Sequence, residues 1–273
     1  MSGYLKNRNL GEAASSLLEL VYHCTVRDVR MASGNASLGL AIVLIQNIAL
    51  MAVMYVVYSL FGGLRAVAIR GDFIVYLVTG IFLLMTHNRV LNAVMKSGTA
   101  TSAMMHHAPM TPVVSVAAAS LSVLYQQLMS GLIIYAAVHI WKGKFPLADP
   151  AGLIVPFLLA WSTGIAVGLI FKGLLPFAPR LITTLSRVYR IANMFTSGKL
   201  LPANYMGANL IGWFAWNPLL HCIDQARGAA FVNYFPRHTN LNYPFWFTAA
   251  LILLGLMVDF WLRRNMSLSW GKR

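Results

Sequence analysis

The chain has 273 residues, 58% of them hydrophobic and 10% charged, with a mean hydropathy of +0.66. A soluble domain carries roughly 25% charged residues, so this composition excludes an ordinary soluble fold and specifies an integral membrane protein. The net charge of +14, from 21 Lys+Arg against 7 Asp+Glu, fits basic loops on an anionic leaflet, and no nucleic-acid partner is expected.

Residues 1–30 lack an apolar core followed by a small-residue cleavage site, so no cleaved signal peptide is expected. Within residues 12–30, Leu17, Leu18, Leu20, Val21 and Val29 mix with Glu19, Arg27, Asp28 and Arg30. That mixture is too polar to span and reads as an amphipathic helix along the cytoplasmic interface, with a soluble terminal helix as the alternative. Five apolar stretches follow, over residues 38–61, 73–90, 113–140, 153–175 and 245–262. Each approaches the ~20 residues needed to cross the hydrocarbon core. Residues 181–197 are more polar, carrying Arg187, Arg190 and Asn193; parity favours them as a sixth span, which places both termini in the cytoplasm, and the six-span count itself is what the resemblance given below implies. Fourteen Lys+Arg then lie inside and seven outside, which obeys the positive-inside rule. No repeat or linker divides the chain, so residues 1–273 read as one membrane domain. Cys24 and Cys222 fall on opposite sides of the membrane in this topology, and no disulfide is expected.

Chemistry-bearing motifs are few. The sequence has no G-x-x-x-x-G-K-[ST], H-E-x-x-H or G-x-S-x-G, and no acidic pair within a span. Asp72, Asp149 and Asp259 sit at span ends, and Asp224 lies before the last span. An enzyme is therefore not expected, and neither catalytic residues nor a metal site are assigned. The adjacent His106 and His107 have no third ligand nearby and read as an exposed loop. Gln126 and Gln127, in the middle of the third span, read as interhelical hydrogen-bonding groups or as channel lining.

Residues 200–242 are too polar to cross a bilayer and too apolar for an ordinary loop, which suggests short helices that enter the membrane and turn back. Asn217 is a good N-cap and Pro218 suits a first helical turn. Asp224 and Arg227, three residues apart, are placed to pair across one turn. Arg180, Arg187 and Arg190 fall along one stripe of the preceding helix. They read either as a basic lining for an anionic glycan or lipid phosphate, or as rim arginines that snorkel. Trp213, Trp216 and Tyr234 belong to a crowd of aromatics near the outer interface, which divides between an aromatic belt and rings that line an exit.

The order Arg27-Asp28-Val29-Arg30, Ser37-Leu38-Gly39, Ser197-Gly198, Pro202, Tyr205, Asn217-Pro218-Leu219, Arg227, Tyr234 and a last span resembles the membrane subunits of type 2 ABC exporters. These permeases move capsular polysaccharide or O-antigen chains. The start departs from the pattern: residues 31–36 lack the usual aromatic with arginine, and residues 40–44 lack the usual tryptophan. The resemblance implies an all-α protein of six spans, an interfacial N-terminal helix ending at Arg27, Asp28 and Arg30, and two periplasmic re-entrant helices. It implies a homodimer in a bacterial inner membrane with two ATPase subunits, which bind the ATP and Mg that this chain does not. Periplasmic and outer-membrane export proteins and a polysaccharide, most simply a lipid-linked capsular one, complete the implied partners. The loop over residues 92–112, with Lys96, Ser97, Thr99, Met104, His106 and His107, would dock on the ATPase, through a short helix that Ser97 or Thr99 caps. A permease for O-antigen or a small lipid is the nearest alternative. A membrane scaffold, a glycan-assembly enzyme subunit or a passive channel are the alternatives of another class.

Overall fold

The computed structural model describes residues 10–31, 36–60, 69, 72–98, 112–143 and 147–270, and all their regular structure is helical. Helix α1 covers Leu10–Met31 and α2 covers Ala36–Leu60. Helix α3 runs over Phe73–Lys96, with a π-helical stretch at Val78–Phe82. Then come α4 (Pro112–Lys142), α5 (Ile154–Leu174), α6 (Pro179–Thr196), α7 (Ala208–Phe214), α8 (Pro218–Ala230) and α9 (Asn242–Trp270). Local chemistry sets several starts. The Asp72 carboxylate accepts from the Ile74 amide at 2.9 Å and caps α3, and a proline opens α4, α6 and α8.

Among the described residues, five helices are long and apolar enough to cross a membrane: Ser37–Leu60, Phe73–Lys96, Val113–Trp141, Ala151–Leu174 and Asn242–Trp261. The sixth expected span, residues 181–197, corresponds to α6, which is not among these five. Three arginines along its 18 residues make it amphipathic instead.

The spans divide by burial. Within α3, 72% of the most apolar window is buried and within α5, 56%, but only 17% in α2 and in α9. Helices α3 and α5 are therefore the centre, and α2 and α9 leave most of their apolar surface outward. Helix α5 packs on α3, on α9 and on α8, while α1 lies against α4. Small residues permit the central contact. Ala160, Gly164 and Gly168 recur every four residues on α5, and Ala160 is fully buried. A Cβ on Gly164 would sit 2.3 Å from Val90 Cγ1 and 2.6 Å from the His87 carbonyl oxygen, and one on Gly168 3.0 Å from the Leu91 carbonyl oxygen. This is the small-xxx-small geometry that brings two backbones together in lipid.

Amides join the outer helices to the centre. Asn47 of α2 donates to Gln127 Oε1 at 3.0 Å and to Ser130 Oγ at 2.8 Å on α4. Gln127 in turn donates to Thr86 Oγ1 of α3 at 3.1 Å. Gln127 is thus an interhelical bonding group, fully buried, and does not line a channel. Substituting Gln127→Leu removes one acceptor and one donor from this set. The expected cost is about 1–2 kcal/mol, read as a lower melting temperature in detergent with an unchanged gel-filtration profile.

Helix α1 packs Cys24, Leu20 and Val21 against Val114 and Ala118 of α4, and Leu18 and Tyr22 are exposed. Arg27 and Asp28 form an ion pair at 2.8 Å, with Arg30 exposed beyond it. Ser97 closes α3, its hydroxyl donating to the Val94 carbonyl at 2.7 Å. Lys96 ends α3 as an exposed residue. Thr99, Met104, His106, His107 and the short helix expected there lie outside the described residues.

Candidate functional site

The site is built around α8, in which ten of thirteen residues are buried. At about 1.5 Å per residue it extends about 20 Å, too short to span. Asn217 caps it as expected: its side chain accepts from the Leu219 amide at 3.0 Å, and Pro218 occupies the first turn. The Asn217 side-chain nitrogen donates to Asn193 Oδ1 at 2.9 Å and Thr196 Oγ1 at 2.7 Å on α6. One residue therefore starts α8 and ties it to α6. Asn217→Ala is expected to cost on the order of 2 kcal/mol, from the lost cap and the two stranded partners, seen as a drop in melting temperature.

Asp224 and Arg227 do not pair, contrary to the expectation from their spacing. Asp224 accepts from the Tyr234 hydroxyl, from Thr239 Oγ1 at 2.8 Å and from the Ala203 amide at 3.1 Å. It thereby gathers the segments that follow α6 and α8 onto α8. Burial, and then the Asp224 charge, push the Tyr234 phenol far above its ordinary pKa. Arg227 turns the other way. Its two terminal nitrogens donate to the carbonyls of Gly198 at 2.6 Å and Lys199 at 2.8 Å, and its guanidinium lies 4.1 Å from the centre of the Tyr76 ring. The next carbonyl, Leu200, accepts from Tyr58 at 2.5 Å and Tyr76 at 2.6 Å. Three consecutive carbonyls of one turn are thus held by α2, α3 and α8. The π-helical stretch accommodates this clamp. A Cβ on Gly80 would lie 3.0 Å from the Arg227 guanidinium and 3.3 Å from the Lys199 backbone, so the wide turn carries a glycine where two chains meet it.

A second polar set joins α3, α5 and α6. His87, fully buried, places Nδ1 3.0 Å from Thr163 Oγ1, and Nε2 3.2 Å from the Tyr189 hydroxyl and 3.3 Å from Asn193 Nδ2. Thr163 already donates to Ala160 at 2.9 Å, so His87 Nδ1 carries the proton and Nε2 accepts. The buried face of α6 (Ile182, Ser186, Asn193) is thereby held largely by polar groups. Its two flanks differ. Leu181, Leu185, Val188 and Phe195 form an exposed apolar stripe. Arg180 and Arg187 are exposed and Arg190 is half-buried on the other side, with Arg190 Nε donating to the Ser186 carbonyl at 3.2 Å. The three arginines therefore share one flank, as expected from their spacing.

The aromatic candidates separate. Trp213 and Trp216 are exposed, at 75% and 54%. Tyr234 is sealed, 3% exposed and bonded to Asp224, so it is a structural group and does not line an open surface of this chain. His221 is also structural: Nε2 reaches the Ala215 carbonyl at 2.9 Å and Nδ1 accepts from the Asn240 amide at 3.1 Å. Cys24 and Cys222 are both buried. Burial pushes the Cys222 thiol well above its ordinary range, which makes it unreactive.

Sequence reasoning missed His87, Gly80 and the small-residue stripe of α5. Each had a signal: a lone histidine in an apolar span, a glycine in mid-span, and glycine at a spacing of four. No protein-family model matches the chain, and no curated protein is detectably similar to it.

Proposed function

We propose that this chain is the membrane subunit of an ATP-driven exporter of the type 2 ABC class, carrying a polysaccharide outward, most simply a lipid-linked capsular polysaccharide. The observation that carries the reading is the ordered series Ser197-Gly198, Pro202, Tyr205, Asn217-Pro218-Leu219, Arg227 and Tyr234 before a last span. The buried clamp built from several of these residues supports it. Arg227 grips the turn after Ser197, and Tyr234 with Asp224 fixes the segment after α8. In this reading α6 is the sixth span, and α7 and α8 are the periplasmic re-entrant helices. The basic flank of α6 lines a path shared by two copies of the chain. ATP is hydrolysed by separate subunits that act through residues 92–112. Guanidinium groups on that flank attract an anionic polymer or lipid phosphate through bidentate contacts, and the chain itself does no chemistry.

The test is export in a host strain that lacks the chromosomal copy and carries the chain on a plasmid. Wild type is expected to restore surface glycan. Arg190→Glu is expected to lower surface glycan at least tenfold with protein level and complex assembly unchanged. Full export by Arg190→Glu would remove the basic path.

A further inference from the structure

Three buried side-chain groups near the Arg227 clamp have no hydrogen-bond partner: Ser197 Oγ, Lys199 Nζ and Arg227 Nε. All three are donors, and the residues are 0%, 3% and 0% exposed. All three residues belong to one backbone turn and the arginine that holds it. Ser197 and Lys199 flank Gly198, and Arg227 holds the Gly198 and Lys199 carbonyls through its two terminal nitrogens, leaving the Nε edge over. Gly198 adopts φ +72°, the left-handed conformation that turns the chain here.

The charges are also uncompensated. Among the described residues no carboxylate pairs with Lys199 or Arg227. Asp224, on the same helix as Arg227, is engaged by Tyr234, Thr239 and Ala203. Burial lowers the Lys199 ammonium to about 8, so it remains largely protonated at neutral pH. Two buried cations without a counter-charge are costly. A water molecule would satisfy the donors and leave the charge; an anion answers both.

We propose that Ser197, Lys199 and Arg227 form a closed binding site for a small inorganic anion of the chloride class. The near-complete burial of all three residues favours a compact, weakly hydrated ion over a glycan or a lipid headgroup. The bound ion locks the turn between α6 and α8 by neutralising the two cations that flank it. The proposal is independent of the export reading.

The experiment is thermal melting of the purified full chain in detergent, at constant ionic strength, with gluconate replaced stepwise by chloride or by inorganic phosphate. The melting temperature is expected to rise by several degrees with chloride and to saturate, and bromide is expected to reproduce the rise. Lys199→Met, which removes one charge and the need for a counter-ion, is expected to melt at least as high as wild type in gluconate and to gain nothing from chloride. Should that variant fail to fold, Ser197→Ala is expected to shift the chloride midpoint upward severalfold. Melting that is identical in gluconate and chloride would overturn the proposal. So would an equal chloride response in wild type and in the variant that folds, or a saturable response to phosphate with none to chloride.

Discussion

Arg227→Ala is expected to be the most damaging single substitution of a polar residue in this chain. It strands the Gly198 and Lys199 carbonyls, at about 1–3 kcal/mol for each buried acceptor. It also removes the guanidinium from the Tyr76 ring, worth roughly 1–2 kcal/mol in a desolvated setting. The sum, on the order of 4 kcal/mol, is a large share of a typical folding stability. Arg227→Lys is expected to fail nearly as badly, because one ammonium cannot reproduce a fork that reaches two carbonyls. Tyr58→Phe is the mild comparison: Tyr76 still donates to Leu200, and the loss is about 1 kcal/mol. Thermal melting and gel filtration in detergent read all three. An Arg227→Ala protein that melts within a degree or two of wild type would show that the turn after Ser197 does not depend on the clamp.

Gly164→Leu is expected to prevent assembly of the bundle. The added atoms meet Val90 Cγ1 and the His87 backbone, and the second of these cannot move aside by a rotamer change. Even Gly164→Ala must push α3 and α5 apart, at about 1–3 kcal/mol for overpacking. It also disturbs His87, which bonds across the same contact to Thr163. Gly212 of α7 is the internal control. A Cβ there meets nothing within 4 Å, so Gly212→Ala is expected to be neutral or to stabilise α7 by up to about 1 kcal/mol. Yield of monodisperse protein and melting temperature separate the two positions.

The features that were legible in the sequence are those that local physics decides. Apolar length marked five helices that reach across a membrane, and Asn217-Pro218 marked the start of α8 because capping and the proline ring act within one turn. The pairing of Asp224 with Arg227 was misread for the same reason. Spacing reports only neighbours on one helix, whereas the partners each residue uses come from 10 to 29 positions away in the chain. Tyr234 was misplaced because aromatic residues near an interface look alike until burial sorts them. The polar faces of α6 were visible as an arginine stripe, but the hydrogen bonds that hold its other face, through His87, Thr163 and Asn217, arise only when four helices meet.

The measurement that bears most directly on the proposed function is copurification of the tagged full chain with a coexpressed ATPase subunit, followed by ATP hydrolysis. The account predicts a stable complex of two chains and two ATPase subunits, with hydrolysis by the complex and none by the chain alone. A folded, monodisperse chain that binds no ATPase subunit would contradict it and favour a passive channel or a membrane scaffold.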